Sequence, residues 1–521
     1  MADKNKLKMG VEVNIGVNSA QKGQRPASQA VNLPSADANT PFCIAVMGDF
    51  SGVPREPLAK LRAIEIDRDN FEARMAAFKI QLNVNINGES IPLAIKAPED
   101  FHPDELYQKL ESFSQLRSLR RRLKNNKTFA DAAAEMQGWV PDAVENTPAA
   151  HTTSSGADDK PVDNEAEGQD TENLLDSILD AHTPASSTAS TEAGQIERLI
   201  RSIVAPYVEP AADPRQDEMI ALVDQATQTH MRDILHNAEF QAMEAAWLSL
   251  WFLVKRVETG SRLKIKILDI SKQALADDLA RDELSASAMY KFFCDPSEGD
   301  IPWGVLSGNY TFGTTIEDIL TLASVGAIAQ QAGAPFISAA AESLVGCESF
   351  ATAPDYDDWH QPLTEGVKKA WQMLRESPVA ASIGLALPRF MLRLPYGKKS
   401  SPVESFSFEE LDEVHRHSSY LWGNAAFLKV ECMAQNFNRS GWDMHLESVY
   451  QTDDLPVHYY KEAGETLSKP VAEIMLTEKG GGMISQQGLI PIWSVKNADA
   501  VRSSDYRSLA MNAEKLRGRW A

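Results

Sequence analysis

Thirty-five consecutive residues, Gly138–Glu172, carry nine acidic side chains and one lysine, with few large apolar residues after Val144. A segment of that composition cannot bury enough apolar surface to offset the entropy of ordering it. Any core must therefore form on either side of it. As a flexible coil it would span roughly 30 Å root-mean-square. The 521-residue length suggests about three domains of roughly 150 residues each, and 43% apolar with 24% charged residues is ordinary for a soluble chain. The expected organisation is an extended arm over 1–40, a small α/β unit over 41–137, an acidic flexible linker over 138–193 and a larger α/β unit over 194–521.

Lys and Arg number 51 against 73 Asp and Glu, a net charge of −22. That balance argues against general nucleic-acid binding, which needs a basic surface to release counterions. Cys43, Cys294, Cys347 and Cys432 lie far apart with no CxxC pair, which argues against a zinc site or disulfide framework and fits a reducing compartment. No window of about 20 residues is long and apolar enough for a membrane span, and MADKNKLKMG lacks the apolar run of a secretory leader. The chain reads as cytoplasmic.

In the arm, Val11, Val13, Ile15 and Val17 alternate with Glu12, Asn14 and Gly16. Period two predicts a strand. A lone strand cannot bury its face, so it is expected to add to another sheet, such as a neighbouring chain's; the other reading is a frayed tail. Ser19–Thr40 has linker composition. In the small unit, Phe42–Met47 reads as a buried strand followed by the turn Gly48-Asp49-Phe50-Ser51-Gly52. Phe71–Phe78 is helical, and Gln81–Ile86 with Ile91–Ile95 form a hairpin around Asn87-Gly88. Asp100-Phe101-His102-Pro103 opens a helix whose apolar face includes Leu106, Leu110, Phe113 and Leu116. Its five basic residues over Arg117–Lys124 read as a solvated or partner-facing stripe.

Beyond the acidic segment lies an apolar island, Asn173-Leu174-Leu175-Asp176-Ser177-Ile178-Leu179-Asp180. Leu174, Leu175, Ile178 and Leu179 share a helical face, with Asp176 and Asp180 opposite. A helix over 173–181 is too short to be stable alone. It either docks in a partner's groove or folds back on its own chain. From 194 onward helices and strands alternate: helices at Ile196–Val204, Met219–Leu235 and Phe240–Val257, then a strand at Leu263–Ile270. Trp303–Asn309, Ile319–Gln331, Phe336–Ala340, Gly384–Leu394 and Ala425–Phe437 continue the alternation. The pattern predicts a mixed sheet with covering helices. The stripe Trp247, Leu250, Trp251 and Val254 reads as core.

No catalytic signature holds. There is no GxxxxGK[ST] or HExxH. Gly308–Gly313 lacks a phosphate-binding lysine. Gly480-Gly481-Gly482 reads as a turn that opens no helix. His415 and His417 have no evident further metal ligands. Gly346-Cys347-Glu348-Ser349 is not a nucleophile elbow. The adjacent pairs Glu409-Glu410 and Asp357-Asp358 read as solvated. The expectation is a non-enzyme with no cofactor and no metal.

Two stretches carry a family resemblance. Pro41-Phe42, Gly48-Asp49-Phe50-Ser51-Gly52, Glu65-Ile66-Asp67-Arg68-Asp69-Asn70-Phe71 and Asp100-Phe101-His102-Pro103-Asp104 resemble the small subunit of the type VI secretion contractile sheath, the VipA/TssB family. The large subunit, the VipB/TssC family, is resembled by Ile234-Leu235-His236, Glu239-Phe240-Gln241 and Glu244-Ala245-Ala246-Trp247. Further blocks are Ala334-Pro335-Phe336-Ile337, Leu387-Pro388-Arg389-Phe390, Leu394-Pro395-Tyr396-Gly397, Leu421–Phe427, Gly488-Leu489-Ile490-Pro491 and Lys496-Asn497. The chain thus resembles a small-plus-large subunit fusion.

That resemblance implies a structural protomer that assembles helically around an inner tube, on a baseplate, and contracts to drive the tube outward. It implies no direct membrane insertion. In the large-subunit family a short helix with a Leu-Leu-Asp-like motif is recognised by an AAA+ ATPase that dismantles contracted sheaths; Leu174, Leu175, Asp176, Ile178 and Leu179 match it. Val11, Val13, Ile15 and Val17 would form an inter-protomer strand. Two departures stand out: a leash of about 50 residues joins the halves, and the chain ends soon after Lys496-Asn497, where the family continues with strand-sharing segments. The second departure motivates an alternative, an accessory paralogue that caps, terminates or regulates a sheath built by other subunits.

Overall fold

The computed structural model describes residues 36–138 and 216–520, except 38, 54–57, 296–300, 412–416, 447–449, 463, 504–505 and 512–513, together with 200, 203 and 204. The arm strand Val11–Val17 and the island helix 173–181 lie outside the described residues.

The N-terminal part runs β1 (Phe42–Gly48), β2 (Ile64–Ile66), α1 (Phe71–Phe78), β3 (Ile80–Ile86), β4 (Glu89–Ile95), α2 (Pro103–Lys109), α3 (Glu111–Lys124) and α4 (Phe129–Gln137). The larger part opens with α5 (Gln216–Leu235) and α6 (Ala238–Arg256). It continues through β5 (Leu263–Asp269), α7 (Lys272–Leu279), α8 (Ala288–Cys294), β6 (Trp303–Phe312), α9 (Ile316–Ala332), β7 (Phe336–Ala340), α10 (Glu365–Glu376) and β8 (Ile383–Leu387). Then come β9 (Phe390–Met391), β10 (Trp422–Gly423), α11 (Ala426–Ser440), β11 (Tyr450–Thr452), β12 (His458–Glu462), β13 (Glu465–Lys469), α12 (Glu478–Gln486), β14 (Ile490–Ser494) and β15 (Val501–Ser503). The architecture is mixed α/β, a small N-terminal part and a larger mixed-sheet part.

One nine-stranded sheet organises the molecule, in the order β11-β15-β14-β8-β7-β6-β1-β5-β2. β1 comes from the N-terminal part and lies inside this sheet, parallel to β5 on one side and β6 on the other. The sequence separates the two parts by charge and composition; the backbone ladder joins them. Central parallel strands are buried on both faces, and all seven residues of β1 are buried. Their alternation divides two cores. Phe42, Ile44 and Val46 face one, and Cys43, Ala45 and Met47 face the other.

The hairpin β3–β4 pairs Ile86 with Glu89 across Asn87 and Gly88, both at positive φ, the primed-turn geometry that Asn-Gly favours. The helix expected after Pro103 is two helices, because the backbone at Leu110 is extended. Gly480-Gly481-Gly482 do not form a turn; they lie inside α12, capped by the Thr477 side chain. Gly481 and Trp493 are so close that no Cβ fits between them, so Gly481 serves the packing of this helix on β14.

Candidate functional site

The most extensive functional feature among the described residues is the seam between the two parts. It begins at the end of β1. The Phe50 N–H donates to Asp269 Oδ1 of β5 (2.8 Å), and the Trp247 indole of α6 donates to the Phe50 carbonyl (3.0 Å). Phe50, Phe71 and Phe78 surround that indole at centroid distances of 5.5, 5.7 and 5.2 Å, each nearly edge-on, the arrangement that ring quadrupoles favour. The stripe expected as core on α6 is thus the surface against which the N-terminal part packs.

The seam continues along α2 and α3. Phe101 meets Phe240 at 5.5 Å, and Tyr107 stacks on Phe406 at 4.4 Å. The Asp104 carboxylate accepts from the Glu404 and Ser405 N–H groups at 3.1 and 2.7 Å. Arg120 grips Asp224 of α5 through Nε (2.6 Å) and Nη2 (3.0 Å). Arg122 pairs with Glu135, and Arg117 donates to the Tyr107 carbonyl. So the basic stripe is not simply solvated: three of its five cations have partners within the chain. Helix periodicity shows where the arginines point but not the acids that tertiary packing brings opposite.

Buried electrostatics reinforce the seam. Arg393 is bound by Glu244 of α6 (Nε–Oε1 2.6 Å) and by Glu410 (Nη1–Oε2 2.8 Å). The Tyr396 N–H also donates to Glu410 (2.7 Å), and the Tyr396 ring lies edge-on to His102 of the N-terminal part at 4.8 Å. Glu410 is therefore not half of a solvated pair; it is fully buried. Burial opposes its ionisation, but Arg393 and these donors prevail and hold it at about 2. Burial pushes Glu244 the other way, upward, against the pull of Arg393. A second cluster lies wholly within the larger part and does not touch the seam: it joins Glu473 to Arg389 (Nε–Oε2 3.0 Å) and His417 (2.8 Å), and these partners keep Glu473 at about 2 despite burial.

Burial raises the thiols of Cys43 and Cys347 to about 11 and those of Cys294 and Cys432 to about 12, so none is a thiolate nucleophile at neutral pH. Among the described residues no three His, Cys, Asp or Glu side chains form a metal-binding group, and no helix is long and apolar enough to cross a membrane. The site residues expected on the arm and on helix 173–181 lie outside the described residues. Glu244, Arg393, Glu410 and Tyr107 went unrecognised as seam residues. One signal was present for Glu244: it sits between Phe240 and Trp247 on the apolar face of a helix.

Residues 217–509 match the family described as EvpB/VC_A0108, tail sheath N-terminal domain. Residues 30–156 match the family described as type VI secretion system, VipA, VC_A0107 or Hcp2. The type VI secretion system sheath protein TssC1 of Pseudomonas aeruginosa is 33% identical over 312 residues, covering 57% of this chain and 62% of that protein. The sheath protein TssB1 of the same organism is 30% identical over 135 residues, 24% of this chain and 77% of that protein. The chain thus spans less than two thirds of the length of TssC1. The two family matches do not overlap, and they meet along the seam just described.

Proposed function

Because the chain belongs to the type VI secretion sheath families, with a VipA-like part and a VipB-like part in one polypeptide, we propose that it is a fused small-plus-large sheath protomer. The observation that carries this reading is β1. The VipA-like part supplies an interior strand, β1, and an edge strand, β2, to a sheet whose other seven strands come from the VipB-like part, so the fused chain is a pre-paired building block. Matches to both subunits in one chain favour a sheath component over an accessory paralogue.

Such protomers would stack helically around an inner tube on a baseplate, in the cytoplasm, since heterologous contacts that do not close build filaments. Contraction would be a rigid-body change between two packings, with no nucleotide chemistry in this chain. The arm residues Val11, Val13, Ile15 and Val17 would add to a neighbour's sheet. Leu174, Leu175, Asp176, Ile178 and Leu179 would present a helix to a disassembling AAA+ ATPase. Leu175→Asp with Leu179→Asp should abolish binding of that ATPase without changing thermal unfolding; undiminished binding would remove this role from the helix.

The deciding experiment is negative-stain electron microscopy of the purified chain expressed alone. Long hollow tubes are expected. Dispersed particles at every concentration, with tubes forming only on addition of separate sheath subunits, would overturn the self-sufficient protomer.

A further inference from the structure

A groove of about 330 Å³ runs along the C-terminal end of α6, between that helix, β9 and the loop after β11. Its volume is at the low end for recognition pockets, which span roughly 300–1,000 Å³. Its walls include Leu248, Trp251, Leu392, Leu394 and Pro456, each only half-buried. One rim is cationic. Lys255 is exposed there, and Arg68 lies against it, donating to the Lys255 carbonyl (2.7 Å). Arg256 donates through Nη2 to the Asp453 and Asp454 carbonyls (2.7 and 2.9 Å), while its buried Nε has no hydrogen-bond partner. Asp454 is the one acid among the lining residues.

An apolar trough with a basic rim fits an acidic amphipathic segment, and the chain contains one. Glu172–Asp180 carries Leu174, Leu175, Ile178 and Leu179 together with Glu172, Asp176 and Asp180. Nineteen residues lie between Asp180 and Ile200, whose side chain is buried in the extended core cluster to which α6 also contributes. As a coil, a stretch of that length reaches roughly 25 Å root-mean-square. We propose that this groove is a cis docking seat for the segment Glu172–Asp180, its leucines against Trp251 and Leu394 and its acids toward Lys255 and Arg68. The seat would regulate the segment: while docked, the apolar face that a partner would read is covered. That consequence, though not the docking itself, rests on the proposed partner role of the helix.

The test replaces residues 168–184 by a Gly/Ser stretch of equal length and titrates this chain, as dispersed protomers, with a fluorescein-labelled peptide of residues 168–184. Saturable binding is expected, at least tenfold tighter than to the unaltered chain, whose own segment competes. Lys255→Glu should weaken peptide binding at least fivefold, and Asp176→Lys in the peptide should restore it. No binding to the replaced chain, or binding indifferent to Lys255→Glu, overturns the proposal. The assay contains no ATPase, so its failure is distinct from failure of the partner reading, which the Leu175 and Leu179 variants test.

Discussion

Arg393 has nowhere to place its charge other than between Glu244 and Glu410, with the Tyr396 ring 4.2 Å beneath its guanidinium. Removing one member of a buried ionic group costs far more than the group contributes, because the remaining charges stay desolvated. Arg393→Met should lower unfolding free energy by about 3–5 kcal/mol, read by urea denaturation. A loss under 1 kcal/mol would mean that the two carboxylates find another partner or simply protonate. The carboxylates also set an acid limit. Glu410 and Glu473 are held at about 2 against an ordinary 4.5. A depressed folded-state value gives stability that is complete above pH 4.5 and fades as pH falls toward 2. Glu244 is raised, so its contribution has the opposite sign, present at low pH and fading as pH rises past its folded value. Because the shift of Glu244 lies above pH 4.5 and those of Glu410 and Glu473 below it, the midpoint temperature should fall between pH 4.5 and 2, and Glu410→Gln should flatten that fall. At this scale the sequence was half legible. A glutamate on an apolar helix face announces a buried charge, but nothing near Arg393 or Glu410 in the chain announces that they meet it.

At the scale of elements, the paired rings around Trp247 show why one helix and three short segments cohere. The indole is fully buried among Phe50, Phe71 and Phe78. Trp247→Ala would leave a cavity and an orphaned Phe50 carbonyl, at a cost of about 3–5 kcal/mol. Gly304 of β6 makes the complementary point: a Cβ there would approach the Phe42 ring to 2.5 Å. Gly304→Ala should therefore cost about 1–3 kcal/mol by overpacking. Comparable stability of both variants to the parent would mean that the seam is plastic. The arm makes a different prediction, since its strand is proposed to act between chains. Val13→Glu with Ile15→Glu should leave far-UV circular dichroism and thermal unfolding unchanged but abolish tubes in micrographs; normal tubes would remove the arm from assembly. The Asn87-Gly88 turn signal made β3 and β4 legible, and the helical stripe made α6 legible. The partners of β1 were not, because a short apolar run specifies burial on both faces but not which strands flank it.

At the scale of the whole molecule, the acidic stretch that divides the sequence does not divide the fold. Residues 36–138 give the sheet an interior strand, pack their aromatic side chains on α6 and tie α3 to α5 through Arg120 and Asp224. The chain between the parts matters in another way: it keeps them at an effective concentration in the millimolar range. Once β1 is seated between β5 and β6, that tether contributes little further, since the ladder and the seam hold both parts. A protease site placed at Ala157 should therefore cut the chain into two fragments that still elute together in native size exclusion and separate only in denaturant. The cleaved material should unfold in one cooperative transition, because neither fragment has a complete sheet. Separate elution of folded fragments would show two independent domains and would overturn the shared-sheet protomer. If tubes assemble, cleavage after assembly should leave them standing, whereas cleavage in dilute protomers should make reassembly depend on fragment concentration. The fusion would then act when the protomer forms, by enforcing one-to-one pairing, and not in holding the finished lattice.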